Sequence, residues 1–463
     1  MKMRLFSPLS VPLAAAFACV AVLWPARDST LRADARHPQG SQQSEIILSL
    51  SGESGARPRY AVPDFMARTA DPETAEAART IGAVLWDDLS FEREFYLVPR
   101  DTYKSLPTAR GFTDIPFDRW RELGVDGLVT GTVERVSPTT FRVEMRLFDV
   151  RSRRSAMSKE YSGPITNPRL FAHTAADEIH QQQRALRGVA RTKLAFVSDR
   201  DGERVSGTVG SRGAKEIYIA DYDGANQRRV TVTRKLNLSP TWSPDGRSIA
   251  YTSYRRDFPD IYVSNIYLGT LENPTGGKTQ NWLPVWSPDG TRLAFSSSRD
   301  GNPDIYVMNR DGSNLHRITS SPANDTTPTW SPSGTQVAFT SNRSGSPQVY
   351  IVGADGLNLR KVTSESYCDR PTWSPAPFNE IAYVSRTGPG YDIRVYDLAT
   401  EVRRQLTFGE GSNESPAYSP NGRHLAFSST RSGRAQIYTM GRDGRGTRQI
   451  TRDGTNSMPD WSK

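Results

Sequence analysis

Arginine recurs at matching places in a repeated phrase, at Arg299, Arg343, Arg386 and Arg431, with Arg200 and Arg255 or Arg256 as looser counterparts. A ring of guanidiniums could clamp the carboxylates of a partner, although a feature carried by every repeat usually serves the repeat, here by bridging to carboxylates such as Asp304 and Asp260. Other groups able to do chemistry are few. The chain has five histidines, and only His316 and His424 fall within the repeats. Both stand at strand positions, where a satisfied surface histidine fits better than a set of converging metal ligands. The aspartates of the Ser-Pro-Asp-Gly phrases resemble calcium ligands, but in a turn of that composition Asp caps its own backbone. A serine hydrolase of the α/β type would need Gly-x-Ser-x-Gly, which the sequence lacks. No acid–base pair can be nominated from spacing. The expectation is a chain that is not an enzyme, needs no metal or cofactor, and acts through a surface built by loops on a rigid scaffold.

The scaffold that must position those loops is written in "PVWSPDGTRLAFSSSRDGNPDIYVMNRDGSNLHRIT", Pro284 to Thr319. Trp-Ser-Pro stands at Trp242, Trp286, Trp330 and Trp373, returns as Tyr418-Ser419-Pro420, and ends as Trp461-Ser462, at intervals of 44, 44, 43, 45 and 43 residues. Each is followed by an apolar-Ala-aromatic triplet, and the alanines from Ala250 to Ala426 are 44 residues apart every time. A period in the forties with four short strands is the signature of a propeller blade. Pro-x-Trp reads as a first strand, Ser-Pro-Asp-Gly as a turn with Pro fixing φ and Gly accepting positive φ, the triplet as a second strand, and "DIYVMN" as a third. Asp-Gly then makes a hairpin turn before "LHRIT" as the fourth. Alternation in the triplet sets large residues on one face and alanine on the other, as face-to-face sheets require. The tryptophans read as wedges between blades.

Six triplets are present, counting Leu194-Ala195-Phe196, but that first one has no Trp-Ser-Pro before it, while "MPDWSK" at Met458 to Lys463 has nothing after it. The last strand therefore completes the first blade and removes the exposed edge of an open array, giving six blades with a three-plus-one closure. Three departures are expected to alter local structure: a long loop around Glu203 to Lys215, an irregular stretch "LENPTGGKTQNW" replacing the outer strand of the second blade, and "APFN" in place of Asp-Gly after Pro375.

Ahead of the repeats, Tyr60 to about Gly188 reads as a small α/β domain with a mixed sheet and two or three helices. Asp71 and Pro72 open a helix as N-cap and first residue, with Ala78, Ile81, Leu85 and Leu89 along one face. "FYLVPR", "DGLVTGTVERV" and "RSAMSKEYS" are strands, and "FRVEMRLFDV" alternates Phe141, Val143, Met145 and Leu147 on one side. "PRLFAHTAADEIHQQQR" is a closing helix.

The start is basic at Lys2 and Arg4, then apolar from Val11 to Trp24, then small-residue, which describes an export signal over residues 1–35, with a retained anchor as the alternative. Processing would leave Cys368 as the one cysteine, so no internal disulfide is expected. Residues 36–59 are a polar tail, either a linker or an extended segment that adds to a partner's sheet edge. The domain expectation is thus 1–35 signal, 36–59 tail, 60–188 α/β domain, 189–463 propeller. A formal charge of +9 is spread among nearly as many acids as bases, which argues against a nucleic-acid partner.

"SEIILSLSGESGARPRYAVPDF" (Ser44 to Phe65), "ELGVDGLVTGTV", "HTAADEI" and "ADYDGANQ" together resemble the TolB family, periplasmic components of the Tol-Pal system. The resemblance covers nearly the whole chain after the signal, with Val125 between the family's Leu-Gly and Asp, and Ala220 where it has Ser. It implies a periplasmic, non-enzymatic adaptor that binds Pal, an outer-membrane lipoprotein, on the propeller face and TolA, an inner-membrane protein, through the N-terminal segment. It also implies a role in outer-membrane integrity and envelope constriction during division. Carried over by position, the Pal-facing residues are Asn281, Trp282, Leu283, Thr326 and Thr327, with Asp369, Arg370, Asn413 and Glu414 by blade symmetry. The family often has His at Gln280 and an acid at Thr327. The TolA-contacting or channel-docking segment would be Glu45, Ile46, Ile47, Leu48, Ser49, Leu50, Ser51, Gly52, Glu53 and Ser54. The alternative is an exported propeller enzyme or lectin acting on glycans or peptides.

Overall fold

The structure is a computed structural model, and it describes residues 56–463 except 108, 204, 206–212 and 257. The expected signal and the segment Glu45 to Ser54 lie outside the described residues.

In the N-terminal domain a sheet runs β1 (Arg59–Ala61), β2 (Met66–Ala67), β3 (Tyr96–Leu97), β4 (Gly127–Ser137), β5 (Thr140–Asp149) and β6 (Arg154–Pro164). Its spatial order is β3-β1-β4-β5-β6, with β2 also on β4. β1 is parallel to both neighbours, whereas β4, β5 and β6 form an antiparallel meander, so the sheet is mixed. Helix α1 (Pro72–Glu92) starts where the sequence places it, because the Asp71 carboxylate accepts from the Thr74 N–H at 2.9 Å and Pro72 needs no partner. Short α2 (Phe117–Glu122) and long α3 (Pro168–Arg184) complete the domain. The alternating Phe141, Val143, Met145 and Leu147 of β5 are buried against Ile81, Leu85 and Leu89 of α1 and Ile179 of α3. That same core continues into the second domain through Leu194, Phe196, Tyr222 and Trp461, so the α/β domain sits directly on the propeller.

The propeller is six four-stranded antiparallel sheets, numbered in chain order as blade 1 (193–229 with 456–461), blade 2 (237–272), blade 3 (281–317), blade 4 (325–361), blade 5 (368–405) and blade 6 (413–449). Blade 3 is representative, with strands Asn281–Trp286, Arg292–Ser297, Asp304–Asn309 and the two-residue His316–Arg317. In blade 1 the innermost strand is Asn456–Trp461, paired antiparallel to Lys193–Ser198 with Trp461 opposite Leu194. This is the three-plus-one closure expected from the sequence. The turns behave as expected too: Gly246, Gly290, Gly334 and Gly422 take φ between 67° and 72°, and Asp289 accepts from Ser287 Oγ at 2.5 Å and from the Thr291 N–H at 3.0 Å. Those donors hold its carboxyl down at about 2.

Blade stacking follows from the triplet. Ala250 of blade 2 packs with Trp286, Leu293 and Phe295 of blade 3, and Ala294 of blade 3 packs with Trp330, Val337 and Phe339 of blade 4. The small residue lets each sheet approach the large ones of its neighbour, and Trp330 also donates its indole N–H to Val285 O at 3.3 Å.

Two expectations are corrected. The outer strand of blade 2 is not lost: Leu271–Glu272 pairs with Val263 and Ser264, because an outer strand only two residues long survives a Gly- and Pro-rich neighbourhood. His424 is not a surface residue; it is 3% exposed and faces the α/β domain. The turn after Pro375 does differ, with a cis Ala376–Pro377 bond. Part of the long loop of blade 1 lies outside the described residues.

Candidate functional site

In every blade the first strand begins with a buried residue, Asn or Asp in five blades and Cys368 in blade 5, and reaches Pro three positions later. Between them the pairing with the second strand shifts register, as at Trp282/Val285 and Thr326/Thr329. The residue just before the Pro lies in the left-handed region in all six: Ser239, Leu283, Thr327, Arg370, Ser415 and Met458 have φ from 50° to 55°. Backbone of this kind is uncommon for residues other than Gly and marks a site held by its surroundings. The holding bonds are visible. Leu283 N–H donates to Thr252 Oγ1 of the preceding blade at 3.0 Å, and Thr327 Oγ1 to Thr340 Oγ1 at 2.8 Å.

These six residues, with the prolines and the residues after them, line the axial channel, a narrow space of about 160 Å³. Leu283, Thr327 and Arg370, three of the residues singled out in the sequence, therefore converge on one opening. Arg370 Nη1 reaches Ser415 Oγ at 3.3 Å and Thr327 Oγ1 reaches Asp369 Oδ1 at 3.4 Å, so neighbouring blades are linked around the wall. Trp282, Thr326, Asp369 and Glu414 stand one position earlier, half-buried on the same face. Tyr367 O–H donates to Asp369 Oδ2 at 3.1 Å, and Ser412 Oγ to Glu414 Oε1 at 2.9 Å.

Asn281 and Asn413 are placed differently. Both are fully buried and bonded on each side. Asn281 donates to Asp260 Oδ1 of blade 2 at 2.9 Å and accepts from Arg299 at 3.2 Å; Asn413 donates to Asp392 of blade 5 at 3.1 Å and accepts from Arg431 at 3.0 Å. Asn456 does the same between Gln436 and Arg200. These asparagines present no surface to a partner; they rivet one blade to the next.

The arginines are accounted for by the same rivets. Arg200, Arg299, Arg343 and Arg431 each bond a strand serine through Nε, lie over a Phe-Tyr pair, and reach the buried Asn or Asp at the head of the blade. Their partners are not Asp304 and Asp260, as the sequence suggested: Asp304 is bridged by Arg317 and Asp260 by Asn273 and Asn281. Arg386 breaks the series. It follows its serine by one residue rather than two, is exposed, and its blade carries Cys368 where the others have Asn or Asp. A thiol is a poor acceptor for a guanidinium. Burial pushes the Cys368 thiol up to about 12, which leaves it inert.

Sequence reasoning missed the channel-lining Ser239, Ser415 and Met458, although the Pro after each was a usable signal. It also missed Asp460 in the lumen, whose Oδ2 accepts from the Trp242 N–H at 2.7 Å and whose carboxyl burial raises to about 6. Among the described residues no three His, Cys, Asp or Glu side chains gather as a metal site, and no helix is long and apolar enough to cross a membrane. A roomier cavity of about 640 Å³ lies in the α/β domain beside Tyr103, Trp120 and Leu128. Chemically, the mouth offers an indole, a guanidinium and two carboxylates on a rigid rim, a composition suited to binding a protein surface.

Residues 181–463 match the family described as the TolB beta propeller domain, and residues 48–156 match the TolB amino-terminal domain. Among curated relatives, the Tol-Pal system protein TolB of Desulfosudis oleivorans is 36% identical over 185 residues, 40% of either chain. That of Geobacter sulfurreducens is 38% identical over 201 residues, 43% of this chain and 44% of the relative. The chain thus spans under half the length of the curated relatives it matches. A crystal structure of TolB from Acinetobacter baumannii superposes with a TM-score of 0.72 at 26% identity, covering 88% of this chain and 97% of that one.

Proposed function

The chain belongs to the TolB family, and from that premise we propose that it is a periplasmic, non-enzymatic adaptor of the Tol-Pal system. Its propeller mouth binds a Pal-like outer-membrane lipoprotein, and the segment Glu45 to Ser54 engages a TolA-like inner-membrane protein. Together the two contacts support outer-membrane integrity and envelope constriction during division. The observation that carries this reading is the rim itself: Trp282, Arg370 and Asp369 are partly accessible side chains, the backbone beside Trp282 is tied to the preceding blade through Leu283, and the Arg370 side chain is tied to the next blade through Ser415. A partner meeting such a rim loses little affinity to ordering it. The axial opening is too narrow for a folded domain, so the partner sits on the rim and can send only a side chain or an extended segment inward.

Alanine at Trp282, Thr326 and Arg370 together tests the reading. The expected result is at least about tenfold weaker capture of a Pal-like lipoprotein from envelope extracts, with an unchanged melting temperature and unchanged capture of a TolA-like protein. Removal of residues 36–54 should abolish TolA-like capture and leave the chain folded. Retained lipoprotein capture by the triple variant, or turnover of a glycan or peptide by the pure protein, overturns it.

A further inference from the structure

Three of the five histidines are buried in one polar seam where α1 and α3 meet blades 1 and 6. Asp88 and Glu92, one turn apart on α1, each hold both domains. Asp88 is hydrogen-bonded to His173 Nδ1 of α3 at 2.8 Å and accepts from Tyr222 O–H of blade 1 at 2.7 Å. Glu92 lies 3.1 Å from His424 Nε2 and accepts from Asn421 Nδ2 of blade 6 at 2.9 Å. Phe91 stacks on the His424 ring at 4.1 Å.

His180 sits between these two anchors and is bonded to neither. It is 1% exposed, Phe95 meets its face edge-on at 5.3 Å, and among the described residues neither ring nitrogen has a hydrogen-bond partner. The void beside it, walled by Asp88, Glu92, Asp177, Gly188 and Tyr222, leaves no room for water. The charges that bear on the ring are Glu92 of α1, Glu94 just after α1, Asp177 of α3 itself, and Arg423 of blade 6. Both carboxylates able to take a proton-bearing His180 are already engaged. Glu92 holds blade 6, and Asp177 accepts from the Ala190 N–H at 2.9 Å and from Arg191 Nε at 3.0 Å, which fixes the linker entering blade 1.

We propose that His180 is the trigger of an acid-operated release between the two domains: once protonated, it competes for Glu92 and Asp177, and the α/β domain loosens from the propeller while both remain folded. The sign is set by burial, which holds His180 below its ordinary value. The seam excludes a proton that the freed ring accepts, so its contribution is complete above about pH 6.5 and is lost as the pH falls. His173 acts oppositely. Although burial opposes its charge, the Asp88 bond holds it above its ordinary value, so its contribution is complete in acid and lost as the pH rises. Glu92, although burial opposes its charge, is held below its ordinary value by the His424 bond, so its own loss in acid begins only below about pH 4.5, and a loosening that starts below about pH 6.5 belongs to His180.

Hydrogen exchange on the full chain, corrected for intrinsic rates between pH 7.5 and 5.5, tests this at the amides of residues 188–191 and 421–424. Below about pH 6.5 their protection should fall by up to tenfold per pH unit, the limit for one proton, while the inner strands of blades 3 and 4 stay protected. His180→Leu should give a flat profile at the same amides. A flat wild-type profile, or an equal slope in His180→Leu, overturns the proposal. If His180→Leu does not fold, NMR titration of the His180 ring in the native chain decides: a midpoint below that of a free histidine is expected, and one at or above it refutes the trigger.

Discussion

Trp461 donates its indole N–H to Thr192 Oγ1 at 2.7 Å, so the residue that ends the closing strand is bonded to the residue that precedes the strand it pairs with. Around this bond the ring is sealed by packing as well as by pairing, since Trp461 is 4% exposed and belongs to the core shared with the α/β domain.

Trp461→Ala should therefore cost more than a typical core truncation of one blade, about 3–5 kcal/mol in urea unfolding. Self-association should rise as the edge of residues 193–198 becomes available. A loss below about 1 kcal/mol, well under the usual range for such truncations, would show that the closing strand is dispensable.

Asp325 stands where blades 3 and 6 have a rivet asparagine, and it faces Asp304 of the preceding blade. Among the described residues its Oδ1 has no partner, while Oδ2 takes Arg343 at 2.7 Å. Burial, joined by the charge of Asp325, holds the Asp304 carboxyl above its ordinary value. Its proton-bound form is thus favoured in the fold, and stability is present in acid and lost as the pH rises. Asp325→Asn supplies the missing donor. It should raise stability at pH 7 by about 1–3 kcal/mol and flatten the decline between acid and neutral pH, both read from urea unfolding across pH; an unchanged slope would contradict the pairing.

Asp460 gives a second handle on pH. With its carboxyl raised to about 6, the fold favours the protonated acid, and stability drops as the pH climbs from about 4 through that midpoint. Asp460→Asn keeps an acceptor for the Trp242 N–H and removes the charge. It should stabilise the chain above pH 7 and change nothing at pH 4, which thermal melts at the two pH values would separate.

The scaffold was legible because its grammar is local. Trp-Ser-Pro, the apolar-Ala-aromatic triplet and the Gly of each turn act within their own blade or on the next, and the spare "MPDWSK" demanded a place. The site was only partly legible. Asn281 and Trp282 are adjacent in sequence, yet one is a buried rivet and the other part of the rim, because strand alternation and the register shift decide which way each faces. His424 gave no signal at all: its partner Glu92 lies 332 residues earlier. Arg386 misled for the opposite reason, since spacing alone could not register the absence of an acceptor at Cys368.

The left-handed residues of the channel wall have a consequence for how such a protein diversifies. A strained backbone position ordinarily tolerates little besides glycine, yet here Ser, Leu, Thr, Arg, Ser and Met occupy six copies of it. The conformation recurs with the register shift and the Pro that follows it in every blade, and at Leu283 it is held through the backbone N–H, so it does not require one particular side chain. The lining can be rewritten one residue at a time, changing what the axle admits, while the wheel that carries it keeps its shape.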